Sequence, residues 1–365
     1  MKLKCNHIAV ILLFFLVIIQ LYEFERMNKW TQDNDIENLI QESMNLEDFG
    51  DTRTIDHPRC ALLFFGLVVE FKSLVYPSIQ RHILDQNPHC DVFLHTYNIS
   101  TLPFNAKNGG TREGVLLDVS QATKLTSEEG HAQFESMDSF FQRRQRALNR
   151  TRANFHNGTW GDCCISHDNM IKQWHSIKAV WDLMEAHAHK EQTKMSGGTT
   201  SSSTTPTPQE EPYYKNVGFF RLDVYYLTPI DISNSTAVIP DFANYPKNDR
   251  LFYGNYAFAE IWANRFRFIP TFEKKYMRKQ SRLNGLHSET IVHYLLEHHE
   301  IPYEESPDIC FLRVRSGPSR VKLDDCRESS SGKFDNWDKI QKLAPELDDS
   351  LAEYDDILEM PAWDY

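Results

Sequence analysis

Cys60-Ala-Leu-Leu-Phe-Phe-Gly66-Leu-Val-Val69 is a continuous apolar run, and a helical pattern over 73–84 and a second apolar run over 90–97 follow it. Strand, helix and strand within about 40 residues form a βαβ unit. Apolar strands of this kind belong to a parallel sheet that is covered on both faces. The stretch therefore predicts an α/β fold with a central, mostly parallel sheet.

A third apolar run, Asn216-Val-Gly-Phe-Phe-Arg221-Leu-Asp223, changes to charged residues at its end. The carboxyl ends of strands in an open α/β sheet border the crevice in which ligands bind. Arg221 and Asp223 are therefore candidate ligand-binding residues. The alternative is an ion pair between them, because residues two apart on a strand share one face.

The N-terminus carries an apolar segment, residues 8–24, which Lys2 and Lys4 precede. A membrane-spanning helix needs roughly 20 apolar residues, with about 17 as the lower end. Positive charge before the segment and acidic residues after it predict a signal anchor in the lipid bilayer, a cytosolic tail over 1–7 and a luminal body. This topology is typical of a single-pass type II protein of the Golgi or ER membrane. A cleaved signal peptide is the alternative, although no pair of small residues follows the segment.

Two further features bear on the compartment and the partners. A luminal body would make four Asn-x-Ser/Thr tripeptides candidate glycosylation sites. They begin at Asn98, Asn149, Asn157 and Asn234. The formal net charge of -12 disfavours nucleic acid as a partner, because phosphate binding calls for a basic surface.

The seven cysteines include no Cys-x-x-Cys pair, which disfavours a zinc site. Three of them border apolar runs and are expected to be buried free thiols. These are Cys60, Cys90 and Cys310. The other three cysteines of the predicted luminal body lie in polar segments, and an oxidising lumen permits a disulfide bridge among them. These are Cys163, Cys164 and Cys326.

Composition divides the chain into segments. Residues 25–58 are polar and acidic without a sustained period, which indicates a stem. The patterned domain covers 59–317, and 318–365 is an acidic C-terminal extension. Within the domain, residues 193–212 are rich in Ser, Thr, Pro and Gly, so they are predicted to be a disordered surface loop.

Two helices are predicted between the second and third strands. Residues 128–150 are expected to form a charged, exposed helix, and a second helix is expected to begin at Ser166. Apolar residues of the second helix recur at three- and four-residue spacing and indicate a buried face. They are Met170, Trp174, Ile177, Trp181 and Met184. His175 lies off this stripe and is interpreted as a surface or core-edge histidine.

Four motifs together carry a resemblance: Arg221-x-Asp223, Asn248-Asp249-Arg250-x-x-Tyr-Gly254, a Ser288-Glu289-Thr290 helix and the strand Phe311-Leu-Arg313-Val-Arg315. In this combination the chain resembles a family of eukaryotic Golgi glycosyltransferases, abundant in algae, that is distantly similar to capsular-polysaccharide-type transferases. The similarity covers the patterned domain. It implies a single GT-A-like, Rossmann-like domain, a nucleotide-sugar donor, a glycan or glycoprotein acceptor and often a divalent cation such as Mn²⁺ or Mg²⁺.

Under this resemblance the enzyme must neutralise the diphosphate that leaves from the sugar nucleotide. A metal held by carboxylates or a pair of Arg side chains does this. Arg221 is then a candidate diphosphate ligand, and Asp223 a candidate metal or ribose ligand. Many GT-A enzymes carry Asp-x-Asp, whereas this chain has Arg at the first position. One carboxylate fewer puts metal dependence in doubt.

The remaining candidates are two acids and three arginines. Asp249 and Glu289 are candidate catalytic residues, with Glu289 able to act as an acceptor-activating base. Arg250 is a candidate donor-binding residue, as are Arg313 and Arg315, which share one face of a strand. The alternatives are a turn at Asp249 and Arg250, a first-turn carboxylate at Glu289, and edge-strand solubilising charges at Arg313 and Arg315.

Two other functions remain open from the sequence. A Golgi sulfotransferase would share the anchor topology but needs a Gly-rich basic loop after the first strand. Residues 66–73 supply one Gly and one Lys. In a membrane-anchored lectin, or an inactive transferase-like protein that binds carbohydrate, the aromatic residues, which make up 12% of the chain, would stack on sugars. Binding of a nucleotide sugar rather than free glycan alone separates an enzyme from a lectin.

Overall fold

The computed structural model describes residues 60–102, 115–117, 119–126, 128, 130–152, 165–195, 211–233, 236–277, 285–314, 321–322, 326, 329–345, 347 and 352–353. The predicted anchor at 8–24 and the predicted stem at 25–58 lie outside this part of the chain, as does most of the Ser/Thr/Pro insert. Among the described helices, none has both the length and the apolar character of a membrane span.

The strands are β1 (Cys60–Gly66), β2 (Asp91–Tyr97), β3 (Thr101–Leu102), β4 (Val115–Leu116), β5 (Ala132–Glu135), β6 (Asn216–Arg221), β7 (Val224–Tyr226), β8 (Ala237–Pro240), β9 (Phe252–Asn255), β10 (Tyr303–Ser306), β11 (Phe311–Val314), β12 (Val321–Lys322) and β13 (Ala352–Glu353). The α-helices are α1 (Tyr76–Ile79), α2 (Met137–Arg152), α3 (Ile165–Met195), α4 (Tyr256–Ala263), α5 (Ile269–Phe272), α6 (Ser288–His298) and α7 (Trp337–Leu343). Short π-helical and 3₁₀ pieces extend α1 over 71–84 and α5 over 265–277.

The central sheet has seven strands in the order β10-β8-β9-β6-β1-β2-β5. Neighbouring strands are parallel except at β9, which runs antiparallel to β6 and to β8. The prediction of an α/β fold with a mostly parallel, Rossmann-like sheet is confirmed. Since the chain first builds outward through β2 and β5 and then returns to the other side of β1 with β6, the strand order reverses between β1 and β6.

Helix α3 covers one face of the sheet and lies against β1 and β2. The alternation of side chains along a strand directs Phe219 of β6 toward Trp181 of α3, with ring centroids 6.2 Å apart. Phe220 points to the opposite face, where its ring centroid lies 5.6 Å from that of Phe64. Both Trp174 and Trp181 are buried, as the apolar stripe predicts.

A second sheet, ordered β13-β12-β11-β7, follows directly from β6, because only Leu222 and Asp223 separate β6 from β7. Strand β11 runs antiparallel to β7 and places Arg313 opposite Val224. Strands β12 and β13 come from residues after 317, so the segment interpreted as a C-terminal extension contributes to this sheet.

Two predictions about local structure are wrong. Part of residues 128–150 is a strand, β5, and the helix α2 begins only at Met137. Pairing with β2 overrides the local helical pattern there. Residue Ser166 lies inside α3 rather than capping it, because the helix already begins at Ile165.

The cysteine prediction is also wrong. Cys60 bridges Cys90, and Cys310 bridges Cys326, with Cα–Cα distances of 4.7 and 5.5 Å. The first pair meets because Cys60 begins β1 and Cys90 immediately precedes its parallel neighbour β2. Cys163 and Cys164 lie outside the described residues.

Candidate functional site

The carboxyl edge of the parallel strands brings together the ends of β1, β2, β5 and β6. The strand register places Gly66 beside Thr96, Tyr97 beside Glu135, and Arg221 beside Phe65. The reversal of strand order between β1 and β6 makes this edge the expected ligand crevice. Arg221 is the last residue of β6, so the first predicted site residue lies at this position.

Arg221 and Asp223 form a two-point ion pair at the end of β6. Arg221 Nε donates to Asp223 Oδ1 at 2.7 Å, and Nη2 donates to Oδ2 at 2.6 Å. Burial alone would lower the pKa of Arg221, but the charge and hydrogen bonds of Asp223 outweigh it, so this pKa lies above its ordinary value. The geometry matches the ion-pair alternative, and the positive charge of Arg221 beside both carboxylate oxygens disfavours a metal cation there.

Asp249 is buried beside this pair, in the segment between β8 and β9. Its Oδ2 accepts hydrogen bonds from Ser288 Oγ and, at 3.2 Å, from Gln173 Nε2. Trp174 Nε1 in turn donates to Ser288 Oγ at 3.0 Å. Helices α3 and α6 therefore hold the carboxylate in place from two sides. Its charge also acts on Arg221.

Glu289 lies in the first turn of α6, close enough to Asp249 for their charges to interact. Burial raises the pKa of Glu289, and the charge of Asp249 raises it further, whereas His287 and Arg250 lower it. His287 Nε2 is 3.4 Å from Glu289 Oε2. A carboxyl group whose pKa is raised toward neutral is suited to proton transfer.

The structure therefore brings most of the predicted site residues together. Those that lie close to one another are Arg221, Asp223, Asp249, Arg250 and Glu289. The predicted turn is present as well, because the main-chain N of Arg250 donates to Asn248 Oδ1 at 2.9 Å.

The last predicted strand approaches the same site through its main chain. Val314 N donates to the main-chain O of Asp223 at 2.9 Å. Arg313 precedes Val314 and is partly exposed. Arg315 lies outside the described residues. Strand β11 is thus adjacent to the ion pair at the end of β6.

Sequence reasoning missed a second polar cluster at this edge, which consists of His95, Glu135 and His175. All three side chains are buried. Glu135 Oε2 lies 3.1 Å from His95 Nε2 and 2.6 Å from His175 Nε2. The interpretation of His175 as a surface or core-edge residue is wrong. The sequence offered one cue, a titratable side chain inside or at the end of a strand, as at His95 in β2 and Glu135 in β5. This cue does not show which other residues such a side chain contacts.

Hydrogen bonds also explain the charge states in this cluster. Burial would raise the pKa of Glu135, but hydrogen bonds from His95, Ser139 and His175 lower it well below its ordinary value. Burial lowers the pKa of His175 to about 4. The cluster therefore contains an ionised Glu135 and a neutral His175 near neutral pH.

Two histidines and a carboxylate within 4.8 Å of one another form a set that could hold a metal ion. The hydrogen bond from Arg144 Nε to His175 Nδ1, at 2.8 Å, argues against this use. Arginine is always a donor, so Nδ1 is unprotonated and Nε2 of the neutral ring carries the proton. That nitrogen has no lone pair for a metal while Arg144 stays in place.

Ser176 links this cluster to Gly66, the last residue of β1, through hydrogen bonds. Ser176 Oγ accepts from the main-chain N of Gly66 at 3.0 Å and lies 2.7 Å from His95 Nδ1. Thr96 Oγ1 donates to Gly66 O at 2.8 Å. Gly66 has a φ of 107°, a backbone conformation that favours glycine. Its main-chain N–H and C=O are both hydrogen-bonded, to Ser176 of α3 and to Thr96 of β2.

Two of the four sequon asparagines fall within the described residues. Asn98 and Asn149 are exposed, whereas Asn157 and Asn234 lie outside that part of the chain.

The chain matches no protein-family model, and no curated protein is significantly similar to it.

Proposed function

We propose that this chain is a glycosyltransferase that transfers a sugar from a nucleotide-sugar donor to a glycan or glycoprotein acceptor. The observation that carries the proposal is the juxtaposition of Asp249 and Glu289 with Arg221 and Arg250 beside the reversal of strand order. A Rossmann-like sheet with acids and arginines at this edge is what a GT-A-like fold with a nucleotide-sugar site requires.

In the proposed reaction the acceptor hydroxyl oxygen forms a bond to the anomeric carbon, and the bond from that carbon to the donor diphosphate breaks. Glu289 receives the hydroxyl proton, because its pKa lies above its ordinary value, which favours proton uptake. The diphosphate leaves with the bonding electron pair. Arg250 and Arg313 are the proposed cations that stabilise its charge.

A divalent cation, Mn²⁺ or Mg²⁺, was expected at Asp223. The donor set does not fit this expectation, because the guanidinium of Arg221 is bonded to both oxygens of Asp223 and its positive charge disfavours a cation there. The proposed reaction therefore includes no metal-dependent step. Chelation of divalent cations tests the point directly.

We further propose that the chain is a type II protein of the Golgi or ER membrane, anchored in the lipid bilayer through residues 8–24, with its catalytic body in the lumen. Two disulfides support this placement, because such bonds persist in oxidising compartments. The exposed Asn98 and Asn149 are compatible with glycan attachment.

A lectin or inactive transferase-like protein is the second candidate, and the Arg221–Asp223 pair favours it. The two charges neutralise each other, so neither is available to a ligand unless the pair opens. A sulfotransferase is less favoured, because the loop after β1 contains the buried Val68 and Val69 and then Glu70 rather than a basic phosphate-binding turn.

The test incubates the full chain, purified in detergent, with a panel of nucleotide sugars and measures donor hydrolysis and transfer. We expect turnover of at least one donor, and loss of it in Glu289→Gln. Glu297→Gln is the matched control, because Glu297 is exposed on the same helix. Binding of free glycan without binding of any nucleotide sugar would support the lectin instead.

A further inference from the structure

Arg265 is the second residue after the end of α4, begins the 3₁₀ piece of the 265–277 segment and is completely buried. Its Nε donates to the main-chain O of Trp262 at 3.0 Å. The guanidinium carbon lies 4.1 Å from the ring centroid of Trp262 and 5.8 Å from that of Trp174. Neither Nη1 nor Nη2 has a hydrogen-bond partner among the described residues. Most of its donor capacity is therefore unused.

The charge of Arg265 is also poorly compensated. Burial lowers the pKa of Arg265 to about 9, and the attraction of Asp249 offsets only part of this effect. Asp249 Oδ2 accepts its hydrogen bonds from Ser288 and Gln173 rather than from Arg265. The two tryptophan rings attract the guanidinium but cannot accept its N–H groups as a carboxylate or phosphate does.

A buried guanidinium with unused donors is unfavourable unless an acceptor is supplied. We propose that Arg265 binds an oxyanion, a carboxylate or phosphate group, of the ligand that occupies the Asp249 site. The identity of that ligand rests on the proposed function. A phosphate group would come from the nucleotide-sugar donor, and a carboxylate group from an acidic sugar.

Arg265 is completely buried, so an oxyanion can reach it only if neighbouring side chains, such as those bonded to Asp249, rearrange. Gln173 and Ser288, which make these bonds, are both partly exposed. An entering oxyanion replaces these bonds with its own, so binding includes a local rearrangement. We therefore expect association at or below about 10⁵ M⁻¹s⁻¹, the lower end of the usual range.

The test titrates the full chain with pyrophosphate and, separately, with glucuronate, by calorimetry at low ionic strength. Arg265→Met should weaken binding of whichever probe is recognised by about tenfold or more, as expected for a lost charge-assisted hydrogen bond. Arg267→Met is the matched control, because Arg267 is exposed two residues further along. The preferred probe distinguishes a phosphate source from a carboxylate source.

A second readout separates a binding role from a structural role. Removal of an unpaired buried charge should leave the melting temperature of ligand-free Arg265→Met equal to or above that of the parent. A large fall in melting temperature together with unchanged affinity would identify Arg265 as a structural residue and overturn the inference. So would the failure of the parent to bind either probe.

A further variant does not depend on the folding of Arg265→Met. Asp249→Asn removes the carboxylate that partly neutralises Arg265, so it should tighten oxyanion binding about tenfold, and unchanged or weaker binding would overturn the inference. Donor turnover is a separate measurement. If oxyanions bind in an Arg265-dependent way but no nucleotide sugar is turned over, the proposed function fails while the oxyanion site stands.

Discussion

Acidification should destabilise the fold through His175, and the size of the effect follows from its surroundings. The ordinary pKa of a histidine is 6.5, and burial lowers that of His175 to about 4 in the folded chain. Between these values the unfolded chain binds a proton that the folded chain does not. Stability is therefore lost as the pH falls through this window.

The linkage relation gives the magnitude. The contribution of His175 is close to zero at about pH 7 and amounts to a loss of about 2 kcal/mol in the free energy of unfolding at about pH 5. In the folded chain Glu135 stays ionised across this window, because its hydrogen bonds lower its pKa well below the ordinary 4.5. In the unfolded chain it gains a proton only near the lower end of the window, so the effect of His175 is read between about pH 7 and about pH 5.

The assay is urea-induced unfolding, followed by circular dichroism, at several pH values across the window. His175→Gln is the informative variant, because an amide can still donate to Glu135 and accept from Arg144 but does not titrate. We expect it to lose about 2 kcal/mol less than the parent on acidification. His89→Gln, at an exposed histidine, is the control and should follow the parent. Equal pH dependence of parent and His175→Gln would refute the reasoning.

Three further predictions concern the site and its frame. Asp223→Asn should lower the free energy of unfolding by about 2 kcal/mol, because it leaves the partly buried Arg221 without its partner; a loss below about 0.5 kcal/mol would indicate a weak surface pair. Cys60→Ser should lower the free energy of unfolding, measured in urea, by about 3 kcal/mol, since it opens the bridge to Cys90. A reducing agent should then destabilise this variant only by opening the bridge between Cys310 and Cys326. Arg313→Lys should weaken binding of free nucleoside diphosphate measured by calorimetry, because the planar two-point contact is lost although the charge remains; unchanged affinity would exclude a diphosphate contact at Arg313.

The predicted strands were found because their signal is local. The apolar runs at 60–69, 90–97 and 216–223 all contain strands, and the first is the parallel neighbour of the other two in the sheet. The prediction for 128–150 failed at β5, because a short edge strand is stabilised by its pairing with β2 rather than by its own residues.

The candidate site was predicted in part for a similar reason. Arg221 and Asp223 were found as charges at the end of an apolar run, which is a local cue for a crevice residue. Arg265 carried no such cue. Its burial and its unused donors depend on Trp174 and on Asp249, which lie on other elements of the fold.

The amino-acid sequence by itself determined the class of the fold, because continuous apolar runs and helical periodicity follow from neighbouring residues alone. Tertiary structure decided which distant groups meet. Glu135 and His175 are 40 residues apart and Gly66 and Ser176 are 110 residues apart, yet each pair is hydrogen-bonded. The pairing of strands sets these contacts, as it sets the bridge between Cys60 and Cys90 at adjacent strand ends. A hydrogen bond or an ion pair requires positions accurate to a fraction of an ångström, which the packed sheet and α3 provide and the local pattern does not.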